Sequence, residues 1–156
     1  MKTKKKSRKN PASKIEQIIA KYGPKIRAIL TKTRTAFKAV GYVGGPPYLL
    51  DGGEFRVWLT VRLSETADEE DACDIYITIL ESEESDGSKG GVAFSLDIVD
   101  YGGSSVGGLT PYNYSGELWV PRNDPAAVQE RWEEFSAAVV PKKIVKTVEE
   151  NWAPNK

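Results

Sequence analysis

This chain of 156 residues contains no histidine and only one cysteine. Without histidine it lacks the commonest general base, the commonest metal ligand and every Ser-His or Cys-His nucleophile arrangement. A lone cysteine, Cys73, cannot form an intramolecular disulfide, and with no histidine beside it no zinc-binding spacing exists. No run reaches the about 18 apolar residues that a membrane-spanning helix needs. The opening "MKTKKKSRKNPASK" is basic but has no apolar stretch of the kind a secretory signal carries. Together these absences predict a cytoplasmic protein in a reducing compartment, with no membrane partner. The Asn113-Tyr114-Ser115 sequon is then incidental.

What is present suits one ordinary domain. The hydrophobic fraction is 40%, enough for a core that needs no covalent staple. The net charge of zero conceals a division. Residues 1–42 hold 13 Lys/Arg and a single acid, Glu16, whereas residues 43–156 hold 9 Lys/Arg and 21 Asp/Glu. The basic part suits either a polyanion or the acidic remainder, of this chain or of another copy.

Residues 1–11 are too polar and too like-charged to pack, and read as a disordered basic tail ahead of one domain, 12–156. "SKIE" matches a capping box, with Ser13 as N-cap and Glu16 three residues on. Ile15, Ile18, Ile19 and Tyr22 follow at helical spacing, and after Gly23-Pro24 so do Ile26, Ile29, Leu30, Thr33, Phe37 and Val40. The proline predicts two helical pieces or one kinked helix, with Gly41 as the stop. "GYVGGPPYLLDGG", 41–53, reads as a loop whose Tyr48, Leu49 and Leu50 need cover, as a short edge strand would provide.

"EFRVWLTVRL", "CDIYITIL" and "VAFSLDIVDY" each alternate apolar and polar residues, which predicts antiparallel strands with one buried face. Their short acidic links make them neighbours in a meander. "ELWVP", 117–121, reads as a fourth strand. Asp124 and Pro125 then open a helix that buries Val128, Trp132, Phe135 and Val139. After Pro141 a last helix turns Ile144 or Val145, Val148 and Trp152 inward. The predicted fold is α+β: an N-terminal helical segment, a four-stranded antiparallel meander, and C-terminal helices packed on one face of the sheet.

The most unusual stretch is "GGSSVGGLTPYNYSG", 102–116. It has neither the GK[ST] of a phosphate-binding loop nor a G-x-G-x-x-G fingerprint. It reads as a long connection between strands, with Tyr112, Asn113 and Tyr114 placed to touch a ligand. Asp68, Glu69, Glu70 and Asp71 lie on a hairpin link but match no calcium-loop pattern, so neither a metal nor a cofactor is expected. Cys73 falls on the core side of its strand and reads as an inert thiol.

Alternation sends Arg56, Trp58, Thr60, Arg62, Tyr76, Thr78, Ser95, Asp97 and Tyr101 to the sheet face away from the helices. Arg62 is expected opposite Asp74, and Tyr76 opposite Asp97. Aromatic and arginine side chains on rigid strands are typical interface anchors. The leading expectation is therefore a non-catalytic binding or adaptor protein that holds a protein partner, or a second copy of itself, through Trp58, Arg62, Tyr76, Tyr101, Tyr112, Asn113 and Tyr114. The alternative is a nucleic-acid-associated protein whose arm, Lys2, Lys4, Lys5, Lys6, Arg8 and Lys9, contacts phosphates. Carboxylate or tyrosine chemistry in a cleft beside the glycine-rich stretch is a third possibility, with no carboxylate pair placed by a sequence rule to carry it.

Overall fold

A computed structural model describes residues 13–50, 54–62, 64–65, 71–82, 90–100, 102–109 and 119–152. In chain order the elements are α1 (Lys14–Ala39), β1 (Val43–Gly44), β2 (Tyr48–Leu50), β3 (Phe55–Arg62), β4 (Ala72–Ser82), β5 (Gly91–Asp100), β6 (Ser105–Leu109), β7 (Val120–Pro121), α2 (Pro125–Ala138) and α3 (Pro141–Asn151). The fold is α+β, and all strand pairings are antiparallel.

α1 starts where expected. Ser13 accepts from the Glu16 backbone N–H and Glu16 accepts from that of Ser13, so both halves of the capping box are made. The helix then runs unbroken through Pro24, contrary to the expected interruption. Tyr22 and Ile26 are both buried in the core, and Gly23 lies so close to the Phe55 ring that a Cβ there would stand 2.9 Å from Cζ. Packing on both sides of the proline outweighs the lost backbone bond. At the far end the Tyr42 N–H reaches the Phe37 carbonyl and the Gly41 N–H that of Lys38, the two bonds of a Schellman motif. Gly41 has φ +99°, and the Tyr42 ring lies 5.2 Å from that of Phe37. Val40, expected on the buried stripe, is exposed because the helix has already ended.

The sheet has seven strands where four were expected. The register explains the difference: the seven occupy five rows. β3, β4 and β5 are the continuous central rows. β1 and β2 both pair with the outer edge of β3, with Gly44 opposite Val61 and Tyr48 opposite Trp58. Gly45-Pro46-Pro47 interrupts this row, since proline has no N–H to give to the ladder. β6 and β7 share the outer edge of β5 in the same way, with Leu109 opposite Leu96 and Val120 opposite Val92. The stretch expected to be a loop is thus partly an edge strand, Ser105–Leu109, after a tight turn in which the Ser104 N–H donates to Asp100 Oδ1 at 2.9 Å. Of "ELWVP", Val120–Pro121 forms β7, and Glu117 and Leu118 lie outside the described residues.

All three helices cover one face. α1 packs on β1, β3 and β4, α2 on β5 and β7, and α3 on β6 and α1. Val57, Leu59, Cys73, Ile75, Ile77, Phe94 and Ile98 meet them, each 1% exposed or less. Tyr22, Phe94, Trp132 and Phe135 form an aromatic cluster with ring separations of 5.1–5.7 Å along its Phe94 contacts. Asp124 caps α2 through the Ala127 N–H, and both Ile144 and Val145 of α3 are buried, with Val148 and Trp152. No helix among the described residues is long and apolar enough to cross a membrane.

Candidate functional site

The second sheet face is built by the same alternation that builds the core. One row crosses the sheet in register: Tyr48 of β2, Trp58 of β3, Tyr76 of β4, Asp97 of β5 and Gly108 of β6. Strand pairing places side chains about 5 Å apart along such a row, close enough for rings to meet. Trp58 and Tyr76 stack at 5.6 Å with 27° between planes, and Tyr48 lies 5.9 Å from Trp58. Tyr48 is 45% exposed and its neighbour Leu49 42%, both large apolar side chains open to solvent. Trp58 Nε1 is buried and has no hydrogen-bond partner.

Beside the row, the Arg56 guanidinium sits 4.8 Å from the Tyr76 ring centroid. Its Nε donates to Thr78 Oγ1 at 3.1 Å, and its Nη2 lies 3.3 Å from Glu54 Oε1. Thr78 and Ser95, beneath it, are buried polar residues of this face. Thr60 donates to Asp74 at 2.7 Å, so Asp74 has a partner other than the Arg62 expected. Arg62 stands opposite Ala72, two positions along, because the β3–β4 register is set by their whole length. Tyr76 does stand opposite Asp97.

Burial holds the Asp97 carboxyl above its ordinary value, against the lowering effects of the Ser95 hydroxyl and the Arg56 charge. The Tyr76 phenol is raised as well, by burial first and then by Asp97. Gly108, across from Asp97, adopts φ +153°, and a Cβ there would stand 2.5 Å from the Leu96 carbonyl oxygen. The row therefore ends in bare backbone beside the one partly buried carboxylate that belongs to it.

Of the seven residues expected to contact a partner, the structure brings Trp58 and Tyr76 together and puts Arg62 on the same face, nearer one end of β3. Tyr101, Tyr112, Asn113 and Tyr114 lie outside the described residues, as do Lys2, Lys4, Lys5, Lys6, Arg8 and Lys9. Tyr48 was missed as a contact because its Gly/Pro-rich surroundings read as a loop. Trp119 was missed as well: its ring atom Cε3 lies 3.4 Å from where a Gly91 Cβ would be, on this same face.

Comparison with protein-family models, with curated proteins and with solved structures gives no match. The chemistry has to be read from this geometry. Cys73 is fully buried, and burial, reinforced by Asp74 and Asp100, pushes its thiol up to about 12, far from a nucleophile's range. No group of three potential metal ligands occurs among the described residues. Two grooves border α1, one beside Gly23, Pro24 and Phe55 and one between Lys21, Tyr22 and Arg122, and no carboxylate lines either.

Proposed function

We propose that this protein is a non-catalytic binding module that holds an extended segment of a protein partner along the β2 edge, against the aromatic row. The observation that carries this reading is the Tyr48–Trp58–Tyr76 stack, backed by Arg56, on a face that no described helix covers. Among the described residues β2 pairs with β3 alone, so its other edge offers backbone groups to an added strand. A strand added there makes main-chain bonds to β2, while Tyr48 and Leu49, on alternate faces, offer apolar contact to its side chains. Aromatic and arginine residues are the side chains that carry most interface free energy. The unpartnered Trp58 N–H supplies a donor for a polar group of the incoming segment.

A displayed library of random peptides, panned on the full chain, tests this. Enriched peptides bind the native protein and lose at least about tenfold in affinity, about 1.4 kcal/mol, with Tyr48→Ala. Arg56→Gln weakens them less, and Lys142→Gln on α3 leaves them unchanged. Peptides indifferent to Tyr48→Ala, or no enrichment at all, would remove the sheet edge as the binding site.

A further inference from the structure

A strongly charged surface lies on the side away from the sheet, along the outside of α1. Lys14, Lys21, Lys25 and Lys32 recur at i, i+7, i+11 and i+18, which at about 100° per residue is one straight row along the helix. Arg27, Arg34 and Lys38 repeat the same i, i+7, i+11 spacing and form a second row. Every one of the seven is exposed. Between the rows the outermost strip is neutral: Gln17, Ala20, Pro24, Ala28, Thr31 and Thr35. At about 1.5 Å per residue the first row spans about 27 Å and the second about 16 Å.

Among the described residues, no acid forms an ion pair with these cations. The ion pairs among the described residues are Arg56–Glu54, Arg122–Glu81, Arg131–Glu134 and Lys146–Glu150, none on α1. The only acid of α1, Glu16, is engaged in the capping box. Lys21 lies 5.4 Å from the Tyr22 ring, and Arg34 spends its Nε on the Gly44 carbonyl. A solvated helix face ordinarily alternates sign, because like charges at i, i+4, such as Lys21 with Lys25 and Arg34 with Lys38, weaken the helix by a few tenths of a kcal/mol. Here one sign persists after Glu16, to the end of the helix. Upstream, residues 1–12 add six more Lys/Arg in sequence.

We propose that the outer face of α1 binds nucleic acid through its phosphates, without reading sequence. Long rows of cations complement a polymer with a charge on every repeat. A second copy of this chain is a poorer match, because most of the acids among its described residues are divided between Glu54, β4, β5, α2 and α3, and four of them, Glu54, Glu81, Glu134 and Glu150, are already paired. A membrane surface is a poorer match too, since the strip between the rows lacks the Trp, Phe or Leu that an interfacial helix buries. Arg27 and Lys32, one from each row, also wall the groove at Gly23, Pro24 and Phe55, of about 580 Å³, so the ridge is indented where both rows are present.

The test is fluorescence anisotropy of a labelled, mixed-sequence DNA duplex with the full chain, from about 50 to about 200 mM salt. Binding is expected at low salt and falls steeply as salt rises. In the variant Lys14→Gln, Lys21→Gln, Lys25→Gln, Lys32→Gln the slope of log K against log salt becomes shallower by roughly 3.6, about 0.9 for each lost phosphate contact. Lys142→Gln with Lys143→Gln on α3 leaves the slope alone, and a chain lacking residues 1–11 still binds at low salt. Circular dichroism of the four-lysine variant checks that α1 persists, as glutamine is a good helix former. Absence of binding at low salt would overturn the proposal. So would an unchanged slope in the four-lysine variant, or complete loss of binding with residues 1–11. A salt-sensitive dimer abolished by the four substitutions, with no DNA bound, would assign the ridge to self-association instead.

Discussion

Asp97 shows how one side chain can be costly in place. It stands in the aromatic row opposite Tyr76, and its hydroxyl partner, Ser95, is distant at 3.5 Å. Burial raises its carboxyl value, so the folded chain holds that proton to higher pH than the unfolded chain does. Between the two values the folded state binds more protons, and stability falls as pH rises through that window. At neutral pH the ionised carboxylate therefore opposes folding. Asp97→Asn, which keeps the shape and an acceptor for Ser95, is expected to melt higher than the native chain at pH 7. The gap should narrow as pH falls through that window and close below the unfolded value. Melting curves across that range decide it, and a lower melting temperature for the variant at pH 7 would show that the charge is instead well compensated. Such a tolerated cost is common where a face is kept for binding.

At the scale of elements, local rules hold until packing opposes them. A proline inside a helix leaves the carbonyl four residues back without its donor and clashes with it, at about 3 kcal/mol. α1 carries Pro24 regardless, because its inward stripe, Ile18 to Phe37, is anchored on both sides of it. Pro24 itself is exposed and faces away from the sheet. Pro24→Ala should accordingly raise the unfolding free energy by about 1–3 kcal/mol, measured by urea titration with an unchanged m-value. A loss of stability would mean that the proline helps to seat Gly23 on Phe55. The sheet edges follow the opposite logic. There Pro46-Pro47 and the glycine-rich stretch do break the ladder, because an edge row has a partner on one side only.

Across the whole molecule, the core is separate from the two surfaces proposed for recognition. The helices and the inner sheet face enclose the core, while the aromatic row and the basic ridge lie on opposite outer surfaces. β4 and β5 pair over ten residues and are flanked on both sides, whereas β1, β2, β6 and β7 are short outer segments. Amide hydrogen exchange should therefore be slowest in Ile75–Ile79 and Phe94–Ile98 and markedly faster in Tyr48–Leu50 and Ser105–Leu109. Equal protection of β6 and β4 would contradict this ordering. A readily opened β2 edge is also what an added strand requires.

Much of this architecture is legible in single residues and their spacing. Capping at Ser13 and Asp124, the stop at Gly41 and the alternation of β3, β4 and β5 are consequences of backbone geometry a few residues long, and a few residues suffice to read them. The same alternation assigns Trp58 and Tyr76 to one face. It cannot say that they stack, that Arg56 rather than Arg62 lies over Tyr76, or that Thr60 faces Asp74. Those facts depend on register, which is set by the pairing of whole strands brought together from distant parts of the chain. Tyr48 joined the row, and Pro24 stayed helical, for the same kind of reason: the free energy that settles each comes from contacts far away in sequence, with Trp58 in one case and with the core beneath α1 in the other.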